Sequence, residues 1–232
     1  MWIVIGLFLI CAWLVWPGKS RSRQDFDPVF VRTGSQWRRN YGRRSFLRLG
    51  GAVAASGLLA WTGADEVCNS FHSDVVRSRT SDGVARLVKH LGERFWFLNW
   101  GLLALLDGWV RTSWLSRWGR DNFEAMVVGL PTLWILQRGL GANRPSSEDA
   151  NPRWRPLRAD NSASGHAFMA AVPLLHLAHR LGPASARYLA RAASALTGWS
   201  RINDEKHYLG QVVLGWVIAW NAVESTRDQD KT

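Results

Sequence analysis

Three short polar clusters in the sequence contain the residue types that bind a phosphate group and cleave it. The clusters lie at residues 137–145, 162–166 and 200–207. Their chemically versatile members are Arg144, Ser164, Gly165, His166, Arg201 and His207. The planar guanidinium of arginine binds phosphate oxygens bidentately, and imidazole has a pKa close to the pH at which general acids and bases operate. The clusters therefore predict a site that holds a tetrahedral oxyanion while a nucleophile attacks it.

The spacing of the clusters resembles the signature of the type 2 phosphatidic acid phosphatase and vanadium haloperoxidase superfamily. That signature reads Lys, six residues, Arg-Pro; then Pro-Ser-Gly-His; then Ser-Arg, five residues, His, three residues, Asp. Residues 137–211 keep this spacing and differ in three letters, with Gln137 for Lys, Ala163 for Pro and Gln211 for Asp. The resemblance implies an all-α fold, a six-helix membrane bundle, to which this chain adds an N-terminal membrane anchor helix.

The resemblance also implies a role for each residue of the clusters. His207 would be the nucleophile that forms a phosphohistidine, and His166 would protonate the leaving group and then activate water. Gln211, one helical turn after His207, would support it by accepting an N–H hydrogen bond, although without adding charge. The phosphate-binding residues would be Arg144, Arg201, Ser164, Gly165, Gln137 and Arg138. Neither a metal ion nor another cofactor is expected.

Local patterns around the clusters add two expectations. His166 is predicted to lie in the first turn of a helix, with Asn161 or Ser162 near the cap, and the N-terminus of such a helix would favour an anion. Asp204 and Glu205 would repel phosphate if they pointed into the site, so we expect both to face solvent.

Composition favours a membrane over nucleic acid as the partner. The 232-residue chain carries a formal net charge of +11 and contains 15 tryptophans, a residue enriched at membrane interfaces. Its basic residues are dense between Trp16 and Leu49, where two apolar segments flank them, and this pattern is typical of a cytoplasmic membrane-proximal loop. Since no nucleic-acid-binding motif accompanies the charge, no nucleic-acid partner is predicted.

The apolar segments divide the chain into three parts. Residues 1–45 would form the anchor helix, from the apolar run at 2–16, and a basic cytoplasmic connector. Residues 46–223 would form the phosphatase-like bundle, and residues 224–232 a short polar tail. The bundle helices are predicted at residues 46–61, 95–110, 123–136, 166–181, 186–199 and 208–223. An amphipathic surface helix near residues 84–91 would end the polar segment before the second of them.

The segment that begins at Arg43-Arg44 allows two interpretations. It resembles a twin-arginine export signal, since Phe-Leu and a further basic residue follow the arginine pair. The same arginines suit the cytoplasmic end of an ordinary retained helix, which we favour because no small-residue cleavage site is evident.

Threading the segments through a bilayer places all three clusters on the less basic side. The positive-inside bias then predicts a multi-pass protein of the bacterial inner (cytoplasmic) membrane whose active site faces the periplasm or exterior. Each bundle segment is nevertheless shorter than the roughly 20 residues that a bilayer core requires.

These observations predict a metal-independent membrane phosphatase that hydrolyses a lipid phosphate or an isoprenyl diphosphate. One alternative is a catalytically weakened protein of the same fold that binds lipid head groups, which Gln137 and Gln211 would favour. The other is a vanadate-dependent haloperoxidase, which the absence of the signature lysine disfavours.

Overall fold

The described part of the chain is mainly helical. The computed structural model describes residues 19–20, 33–109 and 111–227. The predicted anchor at residues 2–16 and the last residues of the predicted tail lie outside these ranges. A two-residue strand, β1 (Lys19–Ser20), pairs antiparallel with β2 (Arg111–Thr112), and helices dominate the rest of the described backbone. The predicted all-α class is confirmed.

The first half of the described chain contains short helices around one long one. These are α1 (Thr33–Asn40), α2 (Arg43–Trp61), α3 (Ala64–Phe71), a π-helical turn (His72–Val76), α4 (Arg79–Val88), a 3₁₀ turn (Lys89–Gly92) and α5 (Phe95–Trp109). Gly63 adopts a left-handed conformation, with φ of 81°, and reverses the chain between α2 and α3. Residues 64–94 were predicted to be a polar segment with a helix at its end, and most of this segment is helical.

The second half supplies the elements that carry the three polar clusters. They are α6 (Trp114–Leu140), α7 (Gly165–Arg180), α8 (Ala184–Ala193), α9 (Leu196–Asn203) and α10 (Leu209–Thr226). A reciprocal pair of hydrogen bonds between Ser113 and Ser116 caps the start of α6. Helix α6 ends at Gly141, whose φ of 58° a residue with a side chain rarely adopts.

Helix α10 lies at the centre of the bundle, where it packs against α2, α6 and α7. Its Leu214 and Ile218 join Phe168 of α7 and Met126 of α6 in one buried apolar core. Gly129 allows α6 and α7 to approach closely, since an added Cβ would lie 2.7 Å from Cε2 of Phe168. The core thus fixes the relative positions of the helices whose ends form the polar clusters.

Helix α6 is much longer than the predicted 123–136 because its polar residues have partners inside the protein. Nε of Arg120 donates to Oε1 of Glu124 over 3.0 Å, and Nε2 of Gln36 donates to Oε2 of the same carboxylate over 2.6 Å. These paired groups allow the helix to continue through positions that were predicted to be a connector.

The predicted helix at 186–199 is instead two helices, α8 and α9. At the break, Oγ of Ser194 donates to the carbonyl of Arg191 over 2.6 Å and accepts from Nε1 of Trp216 over 2.8 Å. A serine that bonds the backbone of the preceding turn competes with helix propagation. The third polar cluster therefore begins in a helix separate from α8.

Across the described ranges, no helix combines the length and the apolar character needed to cross a membrane.

Candidate active site

The three polar clusters meet where the N-termini of α7 and α10 adjoin the C-terminus of α9. The backbone N–H of Ser164, in the second cluster, donates to the carbonyl of Gln211 in α10 over 2.9 Å. Arg144, Arg201 and His166 all lie close enough to His207 for their charges to lower its pKa. The structure therefore brings together residues from all three clusters, as the sequence predicts.

A network of hydrogen bonds fixes the ring of His207, which is only 7% exposed. Its Nδ1 lies 2.9 Å from Oε1 of Gln211, and the same oxygen accepts from the backbone N–H of Tyr208 over 3.2 Å. The Nε2 of Gln211 donates to the carbonyl of Asn143 over 2.9 Å, which sets the orientation of the amide. Because Oε1 can only accept, Nδ1 of His207 carries the proton and Nε2 keeps its lone pair.

The surroundings of His207 also keep its imidazole neutral. The pKa of His207 is lowered to about 3, mainly by burial. The hydrogen bond to Gln211 acts against this shift, and the charges of Arg144 and Arg201 contribute to it. A neutral imidazole with a free Nε2 lone pair is the form that can attack phosphorus.

His166 lies in the first turn of α7, as predicted, and is partly exposed. Burial lowers the pKa of His166, as does the charge of Arg201, whereas the carboxylate of Glu93 acts in the opposite direction. The Nε2 of His166 lies 3.9 Å from Oε1 of Glu93. His166 is thus the accessible histidine of the pair and His207 the buried one.

The two arginines are held by neighbouring side chains. Nη1 of Arg201, which is 8% exposed, donates to Oδ2 of Asp204 over 3.1 Å. Nε of Arg144 donates to Oδ1 of Asn161 over 2.7 Å. The expectation that Asp204 faces solvent is wrong, because Asp204 pairs with Arg201 in the site. The side chain of Glu205 is 36% exposed, as expected, and lies 3.4 Å from Nη1 of Arg77. These hydrogen bonds orient both guanidinium groups. The partner of Arg201 is a carboxylate, whereas the partner of Arg144 is a neutral amide, so Arg144 keeps its positive charge.

Ser164, not Asn161 or Ser162, is the residue that caps α7. Its backbone is extended, and its Oγ accepts a hydrogen bond from the N–H of Ala167 over 3.3 Å. At Gly165 an added Cβ would come no closer than 3.7 Å to another group, Nε2 of Gln137. Packing therefore leaves room beside Gly165, at a helix N-terminus whose N–H groups favour an anion.

Comparison with known proteins agrees with this geometry. Residues 125–224 match the family model described as the PAP2 superfamily. This segment of the chain is therefore similar to proteins of the PAP2 superfamily. Members of this superfamily are generally phosphatases, and the predicted resemblance is confirmed. No curated protein and no solved structure matches the chain.

The PAP2 segment contains the departures from the signature, and Gln137 has a defined structural role among them. Its Nε2 donates to the carbonyl of Ala163 over 2.8 Å. The Oγ of Ser162 hydrogen-bonds the carbonyls of Leu136 and Gln137, over 2.6 and 2.9 Å. Gln137 thus ties the end of α6 to the second cluster. The adjacent Arg138 is exposed, and the charges that act on the pKa of the two histidines do not include it.

Residues ahead of the PAP2 segment complete the surroundings of the site, and the sequence analysis did not identify them. Oδ1 of Asp65 in α3 accepts from the N–H of Gly210 over 2.9 Å. His72 and Asp82 both bond the side chain of Asn203 at the end of α9. Glu93 faces His166. No periodicity links these residues to the clusters, so only the folded chain reveals them.

Proposed function

We propose that the protein hydrolyses a phosphate monoester or diphosphate of a lipid through a phosphohistidine at His207. The observation that carries the proposal is the orientation of His207, whose Nδ1–H is bonded to Gln211 and whose ring lies within range of the charges of Arg144, Arg201 and His166. A neutral, oriented nucleophile next to positive charge and a second histidine is what in-line phosphoryl transfer requires.

In the first step, the Nε2 lone pair of His207 forms a bond to phosphorus. The bond to the leaving oxygen breaks, its electron pair moves to that oxygen, and His166 supplies the proton. Arg144, Arg201, Ser164 and the N–H groups at the start of α7 bind the non-bridging oxygens. The carbonyl oxygen of Gln211 stabilises the phosphorylated ring because that ring keeps its Nδ1–H.

In the second step, water attacks the phosphohistidine. His166, neutral after the first step, removes a proton from the water as the oxygen bonds to phosphorus. The bond between phosphorus and Nε2 of His207 breaks, and its electron pair returns to the imidazole. Inorganic phosphate is released from a diphosphate or a monoester alike. The arginines supply the positive charge that the transition state needs, so we propose that the reaction is metal-independent.

A lipid is the proposed substrate because apolar and basic side chains alternate at the edge of the site. Leu157, in the loop between α6 and α7 that also carries Arg144, is 82% exposed, and its backbone N–H donates to the carbonyl of Arg138 over 2.9 Å. Trp61 is also largely exposed, and Cζ of Arg153 lies 5.9 Å from the centroid of its ring. An amphiphile with an anionic head group suits such a rim. Phosphatidic acid and an isoprenyl diphosphate both have this chemistry.

We further propose that the apolar run at residues 2–16 attaches the protein to the bacterial inner membrane, with the site on the periplasmic side. The basic residues between Trp16 and Leu49 support this orientation. Fractionation of cells that express the full chain, followed by protease treatment of intact spheroplasts, tests both the attachment and the side.

The activity is tested by phosphate release from phosphatidic acid and from an isoprenyl diphosphate, with detergent-purified protein in EDTA. We expect release by the wild type, none by His207→Ala, and full release by His179→Ala, a control histidine that pairs with Glu224 away from the site. Acid-labile, base-stable labelling of the wild type by ³²P-substrate identifies the phosphohistidine. Lipid binding without release by the folded wild type would overturn the proposal in favour of a head-group-binding protein.

A further inference from the structure

Glu93 is an acidic side chain that faces the predicted general acid from outside the PAP2 segment. Its Oε1 lies 3.9 Å from Nε2 of His166 and 3.9 Å from Nδ1 of His90. Glu93 belongs to none of the three polar clusters, and its side chain is 37% exposed. A carboxylate beside a site that binds an anion repels the ligand, so its position requires an explanation.

The main chain next to Glu93 is locked onto the helix that carries His166. An added Cβ at Gly92 would lie 2.6 Å from the carbonyl oxygen of His166, so the 3₁₀ turn contacts α7 through its backbone. Nε1 of Trp96 donates to the carbonyl of His90 over 2.8 Å, and Oγ1 of Thr197 donates to that of Val88 over 2.9 Å. These contacts hold the start of the Glu93 side chain at a set distance from His166.

Glu93 is the negative charge among several positive charges around His166. Arg94 from the same connector, Arg144 from the loop after α6 and Arg201 from α9 all lower the pKa of His166, which burial lowers most. His207, whose pKa is also affected by His166, is neutral. Among the described charges that act most strongly on His166, that of Glu93 favours the imidazolium form, whereas those of the three arginines oppose it. A general acid must carry its proton when substrate binds, and the arginines needed for phosphate oppose this.

We propose that Glu93 is a positioning residue that orients His166 and stabilises its imidazolium form, an inference that rests on the proposed function. In the first step the imidazolium gives its proton to the leaving oxygen as the P–O bond breaks, and the electron pair stays on that oxygen. In the second step the imidazole takes a proton from water as the P–N bond breaks, and Glu93 stabilises the imidazolium that forms again. Glu93 itself neither gains nor loses a proton.

The first test is the titration of His166 followed by NMR in the full chain labelled with ¹⁵N-histidine, with the signal assigned by its absence in His166→Gln. We expect the midpoint to move to lower pH in Glu93→Gln and to stay near the wild-type value in Glu93→Asp, which keeps the charge. Glu148→Gln removes an exposed carboxylate from the loop after α6 and serves as the matched control. An unchanged midpoint in Glu93→Gln overturns the proposal, whether or not the protein is active.

The second test compares two substrates that differ in their need for a general acid. An alkyl phosphate such as phosphatidic acid has a poor leaving group, and p-nitrophenyl phosphate has a good one. For Glu93→Gln we expect kcat to fall about tenfold or more on the alkyl ester and to change little on the nitrophenyl ester. The alkaline limb of the pH–rate profile should move to lower pH, because the imidazolium is lost earlier.

A variant of His90 separates a charge effect from a purely structural one. His90 approaches the same oxygen of Glu93, so His90→Gln disturbs the turn but leaves the carboxylate facing His166. We expect His90→Gln to retain wild-type leaving-group dependence. Equal losses on both esters in Glu93→Gln, or the same kinetic change in His90→Gln, would overturn the positioning role. If His207→Ala is inactive while Glu93→Gln behaves as wild type, this inference fails and the proposed function stands.

Discussion

The carboxylate of Asp65 holds the first turn of the helix that follows His207. Its Oδ1 accepts from the backbone N–H of Gly210 over 2.9 Å, and an added Cβ at Gly210 would lie 3.0 Å from the other carboxylate oxygen and from Oγ of Ser56. Asp65 lies in α3, far from Gly210 in the sequence and ahead of the PAP2 segment. The start of α10, and with it His207, is therefore positioned from another part of the chain.

The buried Asp65 makes the stability of the protein depend on pH. Burial raises the pKa of Asp65 from 3.8 to about 6, although the hydrogen bond from Gly210 acts against the rise. A carboxyl with a raised folded-state pKa binds its proton more tightly in the folded state. Its contribution is fully present below pH 3.8 and is lost as pH rises through about 6. We expect Asp65→Asn, which keeps an oxygen acceptor, to flatten the dependence over this window.

Urea unfolding of wild type and Asp65→Asn at pH 4, 5, 6 and 7 checks this expectation. The stability gained by Asp65→Asn relative to wild type should increase toward pH 7. Asp65→Ala differs because it also leaves the N–H of Gly210 without this acceptor, at a cost of about 1–3 kcal/mol. Parallel pH profiles for wild type and Asp65→Asn would show that Asp65 keeps its ordinary titration in the folded state.

The amide of Gln211 is expected to set the tautomer of His207. In Gln211→Leu, Nδ1 of His207 and the N–H of Tyr208 lose their acceptor, so the ring is free to present the wrong nitrogen. We expect kcat to fall by about 100-fold with a smaller change in KM, because the ground-state contacts of phosphate remain. Steady-state kinetics with phosphatidic acid measures the effect.

The variant Gln211→Asp tests the effect of adding a negative charge beside His207. A carboxylate at this position stabilises the positively charged phosphorylated ring, so we expect kcat above the wild-type value. The shorter side chain gives up the bond to the carbonyl of Asn143, and circular dichroism monitors whether the fold is kept. Wild-type turnover by Gln211→Leu would contradict an orienting role for the amide.

The neutral residue at position 137 leaves the site with less positive charge than the signature provides. In Gln137→Lys the ammonium group can still donate to the carbonyl of Ala163 and adds a charge beside Gly165. We expect tighter inhibition by inorganic phosphate, by about tenfold, and a steeper loss of inhibition as salt increases. Gln137→Met keeps the side-chain length without the charge or the hydrogen bond and is the matched control. An equal inhibition constant in Gln137→Lys and wild type would place position 137 out of reach of the anion.

The close approach of α10 to the second cluster is tested at Gly215. An added Cβ there would collide with the carbonyl oxygen of Ser164, the residue that caps α7. We expect Gly215→Ala to destabilise the protein by about 1–3 kcal/mol and to lower activity, because backbone must shift. Gly139→Ala is the control, since nothing lies within 4 Å of its added Cβ. Equal unfolding midpoints for the two variants would contradict the close packing.

The sequence by itself determined the features that depend on local spacing. The four-residue separation of His207 and Gln211 predicted their contact, and Nδ1 of His207 lies 2.9 Å from Oε1 of Gln211 although His207 precedes the first residue of α10. The position of His166 in the first turn of a helix follows from a similarly short pattern, and the all-α class was implied by the family resemblance. The spacing within residues 137–211 was also sufficient to indicate the PAP2 superfamily.

Only the tertiary structure decided the features that depend on packing between distant segments. Asp65 reaches Gly210, Glu93 reaches His166, and Gln36 helps to bury Glu124 within a helix predicted to be shorter. The partner of a polar side chain depends on which surfaces the packing of the core brings together. Such contacts between distant segments produce no local pattern in the sequence. Local spacing supplied the reactive residues, whereas packing supplied the carboxylates and amides that set their orientation and charge.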